Sequence, residues 1–115
     1  MTRLLTKRFK QQHEKCIWCG EVMWLPGTIP GKTFARRHGK THNEVKYELR
    51  ATKEHIIPRS HGGKSDLNIV AAHSRCNNLR GNQRYSFKPL PHVAIHLPIE
   101  VQYFIADALR KNKGK

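Results

Sequence analysis

Glu54, His55, Asn68 and Asn77 bring a carboxylate, an imidazole and two amides into one stretch of the chain. An imidazole with an ordinary pKa of about 6.5 is neutral at working pH and can take a proton from water. Carboxylate and amide oxygens are hard ligands that suit Mg²⁺ or Mn²⁺. One general base and one hard divalent cation together meet the needs of phosphodiester hydrolysis: a deprotonated water, positive charge on the non-bridging oxygens, and relief for the leaving oxygen. A second group is softer. Cys16-x-x-Cys19 and His73-x-x-Cys76 offer three thiols and an imidazole in two short-spaced pairs, the donor set of tetrahedral Zn²⁺. Such a site is closed and structural, because the protein fills all four positions. His13 is a rival for the fourth ligand.

Charge narrows the partner. The chain has 115 residues with 22 Lys plus Arg against 8 Asp plus Glu, a net +14. That excess steers polyanions toward the surface, and nucleic acid is the polyanion whose counterion release supplies most non-specific affinity. Three cysteines, an odd number with two in a Cys-x-x-Cys pair, favour a metal site over a secreted disulfide framework. No apolar run approaches the roughly 18 residues that span a bilayer, and no apolar leader opens the chain, so the expectation is a soluble, cytoplasmic protein with no membrane partner. With 37% hydrophobic residues, the single expected domain has a small core that benefits from a metal staple.

The run Glu54-His55-Ile-Ile-Pro58-Arg-Ser-His-Gly62-Gly63, then Asp66-Leu-Asn68-Ile, then His73-Ser-Arg-Cys76-Asn77-Asn-Leu-Arg80-Gly81 resembles the catalytic motif of the HNH endonucleases. These are metal-dependent nucleases with the ββα-metal fold. The resemblance implies that His55 is the general base and that Asn68 fixes the facing loop and orients the imidazole. It also implies that Glu54 and Asn77 ligate a catalytic Mg²⁺ or Mn²⁺. Family members most often have Asp or His at the place of Glu54. His73 stands where the family usually has the first Cys of the second pair, and Arg80 where it often has Lys before Gly. Arg59, Lys64, Arg75 and Arg80 lie inside the motif and are expected on backbone phosphates. His61 is a rival base.

The elements that must position these residues follow from pattern. Residues 1–15 are basic and weakly periodic, a short helix or a loose arm. Residues 16–25 form a zinc knuckle closed by Gly20. Residues 26–43, with Pro26-Gly27, Pro30-Gly31 and Gly39, read as a basic loop or loose hairpin carrying Lys32, Arg36, Arg37 and Lys40. Val45, Tyr47, Leu49 and Ala51 alternate with polar residues, predicting a half-buried strand over 45–52 that delivers Glu54 and His55 to its end. A Gly-Gly loop, a short strand beginning at Asn68 and a helix over 74–83 complete a motif core over 45–83. Val101, Phe104, Ile105, Ala108 and Leu109 give the apolar face of a helix over 98–112, packed on the core or on a second copy.

The expected architecture is therefore a single α+β domain. It is a ββα-metal unit stapled by a structural zinc, with an N-terminal zinc-knuckle segment and a C-terminal amphipathic helix. The expected function is metal-dependent endonuclease action on double-stranded DNA, of the small free-standing type found in phages and mobile elements, alone, as a homodimer or in a larger assembly. A zinc-stapled nucleic-acid-binding module that does not cut, and a basic RNA-associated protein, are the competing readings.

Overall fold

The computed structural model describes residues 3–57, 65–81 and 87–112. Helix α1 (Arg3–Gln11) leads into a knuckle, then α2 (Gly31–His38), α3 (His42–Tyr47), strand β1 (Ala51–His55), a 3₁₀ turn (Asp66–Asn68), β2 (Ile69–His73), α4 (Ser74–Arg80), α5 (Pro91–Ala94) and α6 (Ile99–Asn112). β1 and β2 pair antiparallel, from Ala51 opposite His73 to His55 opposite Ile69. With α4 following β2 directly, this is an α+β fold with a ββα unit at its centre. Among the described residues, no helix is long and apolar enough to cross a membrane.

A two-stranded sheet has little stability of its own and leaves edges to be satisfied. Here side chains take the edge of β2. Gln12 donates to the Ala71 carbonyl at 2.9 Å and accepts from the Ala71 amide at 2.8 Å, as a neighbouring strand would. Arg8 donates to the Ile69 carbonyl at 2.8 Å. Every residue of β2 is buried. The knuckle residues Ile17, Trp18, Met23 and Leu25 join β2, α5 and α6 in the main core. α6 packs there through Val101, Ile105 and Ala108, the face its periodicity predicts.

The stretch before β1 departs from expectation. The strand predicted over 45–52 begins only at Ala51, and α3 occupies its first part. The cause is a capping box: Thr41 Oγ1 accepts from the Glu44 amide, and the Glu44 carboxylate accepts from the Thr41 amide, both at 3.0 Å. Val45 and Leu49 suit both periods, being four apart on a helical turn and on one side of a strand. Tyr47 separates the two readings: a strand would bury it, and it is 64% exposed. The segment expected as a basic loop over 26–43 likewise holds α2, ended by Gly39 in the left-handed conformation (φ 64°). Phe34 and Ala35 of α2 pack with Val45 and Leu49 into a second, smaller core against Val22, Trp24 and Ile29.

Candidate active site and metal centre

The antiparallel register sets two clusters at opposite ends of the strand pair, His73 at one end and His55 at the other. Four steps of strand separate the ends, roughly 13 Å.

At the first end, Cys16, Cys19, His73 and Cys76 place their ligand atoms within 4.8 Å of one another. Cys19 Sγ lies 3.2 Å and Cys76 Sγ 3.9 Å from His73 Nδ1. A tetrahedral zinc with Zn–S of about 2.3 Å and Zn–N of about 2.0 Å sets S···N near ~3.6 Å, so the observed pair brackets the ideal. His73 Nε2 donates to the Val22 carbonyl at 2.9 Å, which directs the Nδ1 lone pair at the cluster. Cys16 Sγ accepts from the amides of Trp18 and His73 at 3.4 Å each, as a thiolate does. The local turn supports this: the Gly20 amide bonds the Cys16 carbonyl at 2.9 Å with Gly20 at φ 79°. The crowded thiols titrate apart. A hydrogen bond from Cys76 pulls Cys16 down to about 3, and the same bond pushes Cys76 up. Burial raises Cys19. The donor set fits zinc. His13 takes no part: it stacks on His96 with ring centroids 4.0 Å apart.

Arg75 belongs to this end. Burial lowers its pKa, but the neighbouring Cys76 and Cys19 sulfurs outweigh that and raise it overall. Three thiolates on a divalent ion carry a net negative charge, and the guanidinium beside them offsets it.

At the second end, His55 is the half-buried last residue of β1. Asn68 is fully buried and clamps Ile57: its Oδ1 accepts from the Ile57 amide at 2.8 Å and its Nδ2 donates to the Ile57 carbonyl at 2.7 Å. Asn77, in the first turns of α4, donates from Nδ2 to Thr52 Oγ1 at 3.3 Å and to the Lys53 carbonyl at 3.1 Å. A carbonyl only accepts, so the amide nitrogen is fixed there and the hard oxygen is the atom left for a cation.

Glu54 does not fit the cation-ligand role. It is 5% exposed. Its Oε2 accepts from Trp18 Nε1 at 3.0 Å, and its Oε1 accepts from the His55 amide at 2.9 Å and faces Arg80 Nη1 at 3.5 Å. The extra methylene that separates Glu from Asp lets the carboxylate fold back into the core. Burial raises its pKa in spite of the Trp18 bond and the Arg80 charge.

Arg80 does not fit the phosphate-contact role either. It is 1% exposed, its guanidinium lies 4.6 Å over the Trp18 ring, and it donates to the carbonyls of His55 and Ile56 at 2.6 Å each. Arg75 is half-buried beside the cysteine cluster. Arg59, Lys64 and the rival base His61 lie outside the described residues. Trp18 is the site residue that motif reading missed. A buried indole N–H needs an acceptor, but nothing local in the sequence marks Glu54, distant from Trp18 along the chain, as that acceptor.

Two antiparallel strands and a following helix, with a strand-end histidine at one end and a Cys/His quartet that could hold zinc at the other, define a ββα unit. Residues 38–83, about two fifths of the chain, match the family model described as HNH endonuclease, and nuclease-type activity in general is what that match suggests. The matched stretch contains every catalytic candidate and the second zinc pair, and leaves Cys16, Cys19, Trp18, α1 and α6 outside. No curated protein and no solved structure matches the chain.

Proposed function

We propose that the domain hydrolyses phosphodiester bonds in double-stranded DNA, by nicking or by cutting both strands, in a divalent-cation-dependent reaction with His55 as general base. The observation that carries this reading is the seam between β1 and α4. Asn77 is tied to the Lys53 carbonyl, and residues 53 and 55 share one side of the strand, about 7 Å apart. A hard ligand atom beside the middle of β1 and an imidazole at its end thus lie along one seam. The match of residues 38–83 to the HNH endonuclease family model and the net charge of +14 support the same reading.

The imidazole takes a proton from a water, which attacks phosphorus in line with the departing 3′ oxygen and leaves a 5′-phosphate. A Mg²⁺ or Mn²⁺ ion held by Asn77, waters and substrate oxygens supplies, when bound, positive charge for the phosphate and the leaving oxygen. Asn68 holds the loop that follows His55. Zn²⁺ at Cys16, Cys19, His73 and Cys76 staples the knuckle to β2 and α4.

A second reading, a zinc-stapled module that binds nucleic acid without cutting, is favoured by one observation: Arg80 already compensates the Glu54 carboxylate that many cation sites would use. Zinc-loaded protein freed of other divalent ions, incubated with supercoiled plasmid with and without added Mg²⁺ or Mn²⁺, separates the two. Zinc content is measured in each arm. Nicked or linear product with 5′-phosphate ends, formed only on adding the ion, supports the nuclease. Plasmid binding in every buffer without cutting supports the module.

A further inference from the structure

We propose that Arg80, Glu54 and Trp18 form a positioning device that holds the His55 main chain and ties it to the zinc knuckle. The inference rests on the reading of His55 as the base, and it assigns to this trio a role distinct from phosphate binding and cation ligation.

A chain leaving a sheet ordinarily loses its ladder partners. Here no polar group of the main chain from His55 to Ile57 is left without one. The His55 amide goes to Glu54 and its carbonyl to Arg80. The Ile56 amide goes to the Asn68 carbonyl at 3.0 Å, and the Ile56 carbonyl to Arg80. Ile57 has both groups on the Asn68 side chain. Five of these six bonds come from side chains that are themselves buried, Glu54, Asn68 and Arg80. The guanidinium is a rigid planar fork, so two bonds to consecutive carbonyls fix the backbone direction more tightly than two flexible donors would.

Trp18 holds the holders. Its indole N–H fixes one oxygen of Glu54, and its ring lies beneath the Arg80 guanidinium. Its own amide bonds the Cys16 thiolate, and it sits between Cys16 and Cys19 in sequence. A continuous path of contacts therefore runs from the zinc cluster through Trp18 and the Glu54–Arg80 pair to the main chain of His55. A buried ion pair is a poor device for stability alone, because desolvation offsets the attraction. What this one supplies is a fixed geometry at the residue it surrounds.

The test uses Trp18→Phe, which keeps an aromatic ring under Arg80 and removes only the indole donor, with Glu54→Gln as a second variant should the first lose zinc. Amide hydrogen exchange at His55, Ile56 and Ile57, the His55 ring resonances, and kcat and KM for plasmid nicking are measured on the full zinc-loaded chain. The expected result is slow exchange at these three amides in the wild type. In the variant, exchange at His55 is faster by about tenfold, the ring resonances shift, kcat falls by about tenfold and KM stays within about twofold, since a misplaced base slows chemistry without weakening binding. Wild-type exchange at these amides as fast as in exposed loops, or exchange and kcat unchanged in both variants, overturns the proposal. If the wild type does not cut at all, the nuclease reading fails, and exchange alone decides whether the hold exists.

Discussion

The two ends of the β1–β2 pair solve the same problem with different chemistry. At the His73 end, two segments distant in sequence are brought together by soft donors suited to one ion, and the ligands are oriented by a carbonyl and by backbone amides. At the His55 end, the main chain is gripped by hydrogen bonds from buried Arg80, Glu54 and Asn68. The His55 end also keeps an arginine for internal use, Arg80 on the carbonyls. Coordination supplies stability where the fold is closed. Directional hydrogen bonding supplies position where a side chain is left half-exposed for chemistry.

Breaking the first end should have the largest effect. Structural zinc in small domains supplies free energy on the order of 10 kcal/mol, as much as a domain this size has in total. Cys76→Ser, or stripping of zinc, is therefore expected to unfold the chain, read as loss of the far-UV circular dichroism signal together with zinc content. The second end should break more gently and leave the metal in place. Arg80→Met leaves the Glu54 carboxylate buried without its partner and is expected to cost roughly 3–5 kcal/mol; thermal melting with a zinc assay checks this. If Arg80→Met releases zinc as completely as Cys76→Ser, the two ends are one unit and the contrast drawn above is wrong.

Asn68→Ala removes one side of the clamp and leaves the Ile57 amide and carbonyl without their partners. A loss of about 2–3 kcal/mol is expected, with amide exchange speeding first at Ile57. Smallest is Thr41→Ala, which undoes the capping box of α3 and should cost about 1 kcal/mol. Thr41 is exposed at the start of α3, so melting should shift while zinc content and nicking stay at wild-type levels. A change in nicking would instead link that helix to the chemistry.

How much of this could be read from residues depended on what each signal carried. The zinc quartet was legible because four donors of the right softness stood in two short pairs, and His73 could replace a thiol without changing the geometry required. For Asn68 the resemblance implies a loop-fixing role, and the structure places its side chain on both main-chain groups of Ile57. Arg80 was misread as a phosphate contact because in a chain of 22 Lys and Arg nothing local marks which cation is buried. Only its partners do, and those sit far away in sequence, at Trp18, Glu54 and the His55 and Ile56 carbonyls. The fold of Glu54 into the core has the same origin. α3 was hidden because Val45 and Leu49 satisfy two periodicities at once, and the deciding signal was the Thr41–Glu44 cap rather than the apolar pattern.

The most direct test of the account is the single-turnover rate of plasmid nicking by wild type and by His55→Ala, both carrying one zinc per chain and saturated with DNA and Mg²⁺. A positioned general base is expected to contribute roughly 10²- to 10⁴-fold, so the variant should bind plasmid as the wild type does and cut it slower by that factor. Equal rates at equal zinc content would contradict the central claim, because the site so carefully held at the end of β1 would then have no part in the chemistry.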